Sequence, residues 1–380
     1  MDKPHKAFTR KLEYIDMFHI VAQRYPFPQR RGDQLAVGKM VDFCRKNGIK
    51  YILWIAPTKE NKNAAKFDFD EQNTRFLSFS LIRLLWLSIR YPLNPMQIKL
   101  FSAFYIPKKY IGKEDALYIH TIRMSSTISC RKNRIFMGAQ IDLAAEFWER
   151  ASGSHGVKRI IWSLEAWLLS RWSQQKLPKY KAVFRVTEFE FERYHLPNIN
   201  TNPHGYDMKR IQTKSSRQSG LRRIGFFGNM EFMPNILAAQ EFLKWRHLSQ
   251  LDCEFVIFGR GSEKLKADND ATFLGEVNDI DREIASLDVL VNLISIGGGF
   301  QNKTIEAWAQ NVPVIGFEQA FRGLVDCSNL KIVVTDIAQL DARIDELLEA
   351  KAKPAYCEWV KQNWHQEKNL EKRFEIMRLV

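Results

Sequence analysis

A chain of 380 residues exceeds one ordinary core and fits two domains, and 45% hydrophobic with 12% aromatic residues excludes wholesale disorder. The net charge of +14 suggests a nucleic-acid binder, but residues 1–200 hold 34 Lys/Arg and 18 Asp/Glu, a balance of +16, while residues 201–380 hold 23 and 25, a balance of −2. A basic half beside a neutral half argues for two partners, and a basic face attracts acidic lipid headgroups or pyrophosphate-linked substrates as well as nucleic acid. The five cysteines (Cys44, Cys130, Cys253, Cys327, Cys357) are odd in number and form no C-x-x-C pair, which argues against a disulfide framework or a cysteine zinc site and for a reducing compartment. The first residues carry no apolar run of the secretory type, and no stretch reaches about 18 uninterrupted apolar residues, so neither a signal peptide nor a spanning helix is expected. The expected location is cytoplasmic, with peripheral contact to anionic membrane as an option that the basic half opens.

In chain order, YIDMFHIVA reads as a buried strand, followed by the polar loop RYPFPQRRGD. A helix carries Val37, Met40, Val41 and Cys44 at i, i+3, i+4, i+7 and stops at Asn47-Gly48. IKYILWIA, ALYIH, RIFMG and KAVFRV continue as strands separated by helical stretches. After a polar, Ser-rich linker at 213–220, a second run begins: strand RRIGFFG, helix NILAAQEFLKW, strands EFVIFG and DVLVNLI, a glycine-rich loop, a helix from about Lys303, strands VPVIGF and KIVVT, and helix IAQLDARIDELLEA. Such alternation predicts parallel sheets covered on both faces by crossover helices. The domains are expected at 1–208 and 209–357, with a helical tail over 358–380 returning to the first. The apolar run 76–95, cut by Arg83 and Arg90, admits two readings: a buried helix, or a basic amphipathic helix at a membrane interface.

Chemistry is expected at GGGFQNKTIEA, from Gly297, Gly298 and Gly299 through Phe300, Gln301 and Asn302 to Lys303 and Glu306. Glycines at the end of a parallel strand let backbone approach a phosphate, and the next helix offers free N–H groups and a positive dipole end. Lys303 adds a charge for a diphosphate, and Glu306, three residues on, can accept from the hydroxyls of a ribose. The blander alternative is a mobile glycine loop with a surface Lys and Glu.

The stretch from about 221 to 325 resembles the nucleotide-binding domain of retaining glycosyltransferases of family four. The resemblance rests on ordered blocks: GFFGNMEFMPN, the turn Gly259–Gly261, FLGEVNDI, LDVLVNLI, GGGFQNKTIEAWAQNVPVIGF and FRGL. Weaker matches are YPFPQRRGDQ, IHTIRM, the Asp142 helix and PHGYD at Pro203–Asp207. The resemblance implies an α/β GT-B architecture, two Rossmann-like doubly wound domains facing a central cleft. It also implies a nucleotide-sugar donor, a glycan or lipid-linked acceptor and a role in cell-surface polysaccharide synthesis. Glu306 resembles the second, ribose-binding glutamate of the family's Glu-x7-Glu motif, Lys303 the cation on the donor diphosphate, and Gly228 the glycine whose backbone faces the same phosphates, with Asn229 beside it. Two departures are visible. The first motif glutamate falls on Gly298, and Asn229, Met230 and Glu231 stand where many members carry a cation.

Elsewhere the resemblance implies a sugar-contacting role for His120 and a donor-side role for Gly32. Arg123 and Asp142 are acceptor-side candidates, and Asp33 reads as a helix N-cap. In such a transferase the phosphate-binding amides, helix dipole and lysine carry leaving-group charge, and front-face attack lets the leaving phosphate take the acceptor proton. Asp68-Phe69-Asp70 mimics a metal–diphosphate signature, but it sits in a polar loop and reads as a solvated turn; no metal and no nucleic-acid partner are expected. Competing readings are a sugar-nucleotide epimerase on the same architecture and a non-enzymatic polyanion binder.

Overall fold

The computed structural model describes residues 16–28, 32–64, 70–128, 134–139, 142–212, 220–265, 271–296, 300–350 and 354–379. The chain divides into two compact units, residues 1–204 with 367–380, and residues 205–366.

The first unit carries a seven-stranded parallel sheet in the order β3-β2-β1-β6-β7-β8-β9. Its elements are β1 (Phe18–Ala22), α1 (Gly32–Lys46), β2 (Tyr51–Ile55), α2 (Lys59–Ala64), β3 (Thr74–Phe76), β4 (Ser78–Phe79), α3 (Leu81–Arg90), α4 (Met96–Phe101), β5 (Phe104–Tyr105), β6 (Ala116–His120), β7 (Arg134–Gly138), α5 (Leu143–Ser152), α6 (Gly156–Lys176), β8 (Ala182–Arg185) and β9 (Ile199–Thr201). The short strands β4 and β5 pair antiparallel outside the main sheet. The strands of the main sheet are near-continuous apolar runs because both faces are covered. One core packs α1 against β1 and β2, the other packs α5 and α6 against the opposite face. Helix α1 ends as its sequence dictates: Gly48 takes φ +63° and the Ile49 amide donates to the Cys44 carbonyl.

The second unit has six parallel strands in the order β12-β11-β10-β13-β14-β15. Its elements are β10 (Arg222–Phe227), α7 (Met233–Leu248), β11 (Cys253–Phe258), β12 (Thr272–Gly275), α8 (Ile280–Ala285), β13 (Val289–Asn292), α9 (Asn302–Ala309), β14 (Val314–Gly316), β15 (Ile332–Val333), α10 (Leu340–Glu349) and α11 (Tyr356–Asn363). In each sheet the order reverses direction beside the first strand, between β1 and β6 and between β10 and β13. Such a switch point opens a crevice outside the carboxyl ends of the strands, where doubly wound folds bind ligands.

The tail differs from the expected single return at 358. Helix α11 belongs to the second unit, where Trp308 packs on Tyr356 and Trp359. The last helix, α12 (Gln366–Leu379), enters the core of the first, where Phe374 stacks on Phe43 at 4.7 Å and lies 5.5 Å from Phe18. The run 76–95 also differs: its helix starts only at Leu81, capped by the Ser80 hydroxyl, and none of its residues is buried, which overturns the buried-helix reading. Asp68 and Phe69 lie outside the described residues. Asp70 closes a turn, its carboxylate accepting from the Asn73 amide and from Arg45.

Trp308 is fully buried and fixes α9 against α11, so Trp308→Ala is expected to destabilise the second unit by about 3–5 kcal/mol. Urea unfolding followed by circular dichroism measures this; a loss under about 1 kcal/mol contradicts the packing described.

Candidate functional site

The second unit brings three chain segments together at the carboxyl end of β10. Gly228 follows the strand directly, and its amide donates to the Phe258 carbonyl at 3.1 Å. The turn Gly259–Gly261 braces this loop. Gly259 has φ +108°, and a Cβ there would stand 2.2 Å from the Gly228 carbonyl oxygen, so only glycine fits. The Met230 amide donates to the Arg260 carbonyl at 2.8 Å. Asn229 turns its side chain onto its own loop, Oδ1 accepting from the Glu231 amide.

Lys303, in the first turn of α9, is buried, and its Nζ donates to Asn235 Oδ1 at 2.7 Å, 4.7 Å above the Phe226 ring. Asn235 is the pivot. Its Nδ2 donates to the Asn229 carbonyl at 2.8 Å, and a Cβ on Gly228 would stand 2.9 Å from its Cγ. The glycine loop, Asn235 and the Lys303 amine therefore form one contiguous patch. Burial pushes the Lys303 pKa down to about 7, partly offset by the Glu306 carboxylate one turn further along α9. An amine so desolvated at a strand terminus is poised to regain its charge when an anion arrives.

Glu306 is half-buried, and its charge also reaches Tyr206 and Arg210. Those two belong to a polar cluster. The Arg210 guanidinium grips Asp281 through Nε at 2.8 Å and Nη2 at 2.9 Å, the Tyr206 hydroxyl donates to Asp281 Oδ1 at 2.7 Å, and Gln310 Nε2 donates to the Tyr206 oxygen at 2.7 Å. Burial raises the Tyr206 phenol, and Asp281 holds the Arg210 guanidinium firmly charged despite its burial. PHGYD is thereby fastened to α8 and α9, beside the carboxylate expected to hold a ribose.

Of the expected donor loop, Gly297, Gly298 and Gly299 lie outside the described residues. Phe300 stacks on Trp364 with ring centroids 4.5 Å apart, Gln301 stands at the N-cap position of α9 without a side-chain cap hydrogen bond, and Asn302 opens the helix. Sequence reasoning passed over Asn235 and the Arg210–Asp281 pair. A polar residue in the first turn of a helix, just after Met233-Pro234, was the available signal for Asn235.

In the first unit, His120 ends β6 beside the switch point and is buried. Burial pushes its imidazole down to about 4, Asp33 pulling it up and the Arg373 guanidinium pushing it further down. It is a neutral hydrogen-bonding group at ordinary pH, not an acid. Thr121 just after it has φ +77°, a strained conformation for a β-branched residue. Burial lowers the Arg123 pKa, and the side chain is occupied: Nε donates to Gln97 Oε1 at 2.9 Å, and the guanidinium lies 4.0 Å from Glu146.

Asp142 caps α5, its Oδ1 accepting from the Ala144 and Ala145 amides while Oδ2 lies 3.3 Å from Arg193. Asp33 is not the N-cap of α1; the helix begins at exposed Gly32, and Asp33 in its first turn accepts from Arg24 at 2.7 Å.

Residues 222–350 match the family model described as Glycosyl transferases group 1. No curated protein matches the chain. Among solved structures, a glycosyltransferase from Rickettsia africae superposes with a TM-score of 0.65 at 14% identity, covering 95% of this chain and 97% of the other. HepE of Anabaena, in complex with UDP and glucose, gives 0.63 at 12%, covering 96% and 100%. TarM gives 0.64 at 12%, covering 95% and 98%. At such identities these likenesses show the GT-B fold, two Rossmann-like domains. The matched domain adds the activity class, that of a glycosyltransferase.

A diphosphate beside Lys303 favours the charged amine, so binding of a nucleoside diphosphate should take up a proton above pH 7 and weaken as pH rises through 7 to 9. Calorimetry in two buffers of different ionisation enthalpy measures the uptake. Lys303→Met should abolish it and weaken binding by about tenfold to a hundredfold.

Proposed function

Taking the glycosyltransferase class as premise, we propose that the protein transfers a sugar, with retention of configuration, from a nucleoside-diphosphate donor to a glycan or lipid-linked acceptor in cell-surface polysaccharide synthesis. The observation that carries this reading is the placement of the Lys303 amine against Asn235 and the Gly228 loop, with Glu306 one turn along the same helix.

In this reading the donor diphosphate lies over the Gly228 loop and the first turn of α9, and meets the Lys303 ammonium. Phe300, Gln301 and Asn302, which lead into α9, are assigned to donor contact. Glu306 accepts from the ribose hydroxyls. As the bond from the anomeric carbon to the phosphate oxygen breaks, negative charge grows on the diphosphate; the ammonium and the helix dipole stabilise it where it forms. The positive charge supplied by Lys303 lets the reaction run without a metal. The departing phosphate oxygen takes the acceptor proton, so no separate base is assigned. His120, held neutral, fits a hydrogen bond to a sugar hydroxyl; Gly32 and Arg123 are assigned to donor and acceptor contact on the first unit. That HepE binds UDP with glucose, and that the pneumococcal O-GlcNAc transferase GtfA binds UDP with GlcNAc, makes a UDP-sugar the first donor to try.

Incubation with UDP-glucose or UDP-GlcNAc and membrane extract, with the product followed by proton NMR, tests the reading. An axial anomeric product from the α-linked donor is expected; an equatorial one contradicts retention. Glu306→Ala should lower kcat/KM by about tenfold to a hundredfold, chiefly through donor KM. Unchanged donor kinetics removes Glu306 from the site.

A further inference from the structure

Helix α3 is built inside out. Arg83 points into the protein, where Nε donates to the Ser102 carbonyl at 3.0 Å and Nη2 to the Ser126 carbonyl at 2.7 Å. Leu81, Ile82, Leu85, Trp86 and Ile89 face outward, Ile82 and Ile89 each 81% exposed. A helix of a water-facing surface has the reverse arrangement.

Two further helices of this unit also expose apolar side chains. On α6, Val157 (71%), Ile160 (69%), Ile161 and Leu164 form an exposed stripe at i, i+3, i+4 and i+7. Glu165, next on that helix, accepts from the amides of Met96 and Gln97 at 2.8 and 2.9 Å and so clamps the start of α4 to α6. Met96 and Leu100 of α4 are exposed too. Exposed apolar side chains on three helices, two of them clamped together through Glu165, mark an interaction surface.

Its charge selects the occupant. Residues 72–113, which contain α3 and α4, hold seven Lys/Arg and no Asp/Glu. Beneath α3 lies a cavity of about 790 Å³ walled by Trp86 and Trp172; Lys99, Lys176, Lys179 and Lys181 join Arg83 around it, and among the described residues no carboxylate lines it. A second copy of the chain would set these cations against each other, whereas an anionic bilayer neutralises them while receiving the apolar side chains.

We propose that the outward face of α3, α4 and α6 docks onto an anionic lipid bilayer, with the cation-lined cavity beneath α3 receiving a lipid headgroup phosphate. Among the described residues no helix is long and apolar enough to cross a membrane, so the contact is interfacial. This goes beyond the proposed function and rests on it only for the lipid-linked acceptor; Lys303 and Glu306 play no part in it.

Flotation of the full chain with phosphatidylcholine vesicles, with and without phosphatidylglycerol, tests it. Binding to the phosphatidylglycerol vesicles that falls with added salt is expected. Ile82→Ser with Ile89→Ser should weaken that binding by about tenfold or more. Both side chains are already exposed, so melting temperature and UDP binding should stay unchanged. Lys176→Glu with Lys179→Glu should remove the preference for phosphatidylglycerol. Equal flotation of wild type and the isoleucine variant, no flotation with either vesicle, or a dimer that the isoleucine variant dissociates would each overturn the proposal. Loss of UDP binding in wild type would overturn the donor reading and leave this one standing.

Discussion

A lysine amine buried at the end of a parallel strand, held by one amide oxygen and one aromatic face, is the constraint around which the second unit is organised. Removing the Lys303 amine from water disfavours its charge. The protein retains it there because Asn235 supplies an acceptor and because α9, anchored through Trp308, cannot turn it outward. The same Asn235 clips the Gly228 loop, so the loop and the cation are fixed together before any ligand arrives. Preorganised groups of this kind stabilise developing charge without reorganising during the reaction.

The fold explains why these groups meet. Parallel strands send every connection out at the carboxyl end, and the reversal of strand order beside β10 opens a gap between its loop and the loop after β13. Close approach of the loops after β10 and β11 demands glycine at Gly259, and the Asn235 side chain crowds the space a Cβ on Gly228 would take. Behind them, the bidentate Arg210–Asp281 pair ties the segment entering the second unit to α8, and Gln310 ties it to the end of α9. The carboxylate of Glu306 thereby lies within electrostatic reach of both the Arg210–Tyr206 cluster and the Lys303 amine.

Much of this was legible in the sequence where local pattern and burial agree. Strands such as ALYIH and DVLVNLI are buried on both faces, so their apolar runs carry the signal, and Asn47-Gly48 stops α1 through a left-handed glycine. Short edge strands such as β3, β9 and β12 escaped notice, since three or four residues carry too little periodicity. The helix at 81–90 was ambiguous because an amphipathic pattern states that two faces differ, not which one meets the protein; Arg83 settles that only through distant carbonyls at Ser102 and Ser126. Asp33 is misread for a related reason: a carboxylate near a helix start serves cap or ion pair equally well until its partner is known. Asn235 carried almost no signal because its role depends on a lysine 68 positions away.

The account stands or falls on whether a nucleoside diphosphate seats on this patch. Hydrogen–deuterium exchange of the full chain with and without UDP measures that directly. The account predicts slowed exchange confined chiefly to peptides spanning 226–236 and 297–307. Tight binding of UDP with no protection in either peptide would contradict it.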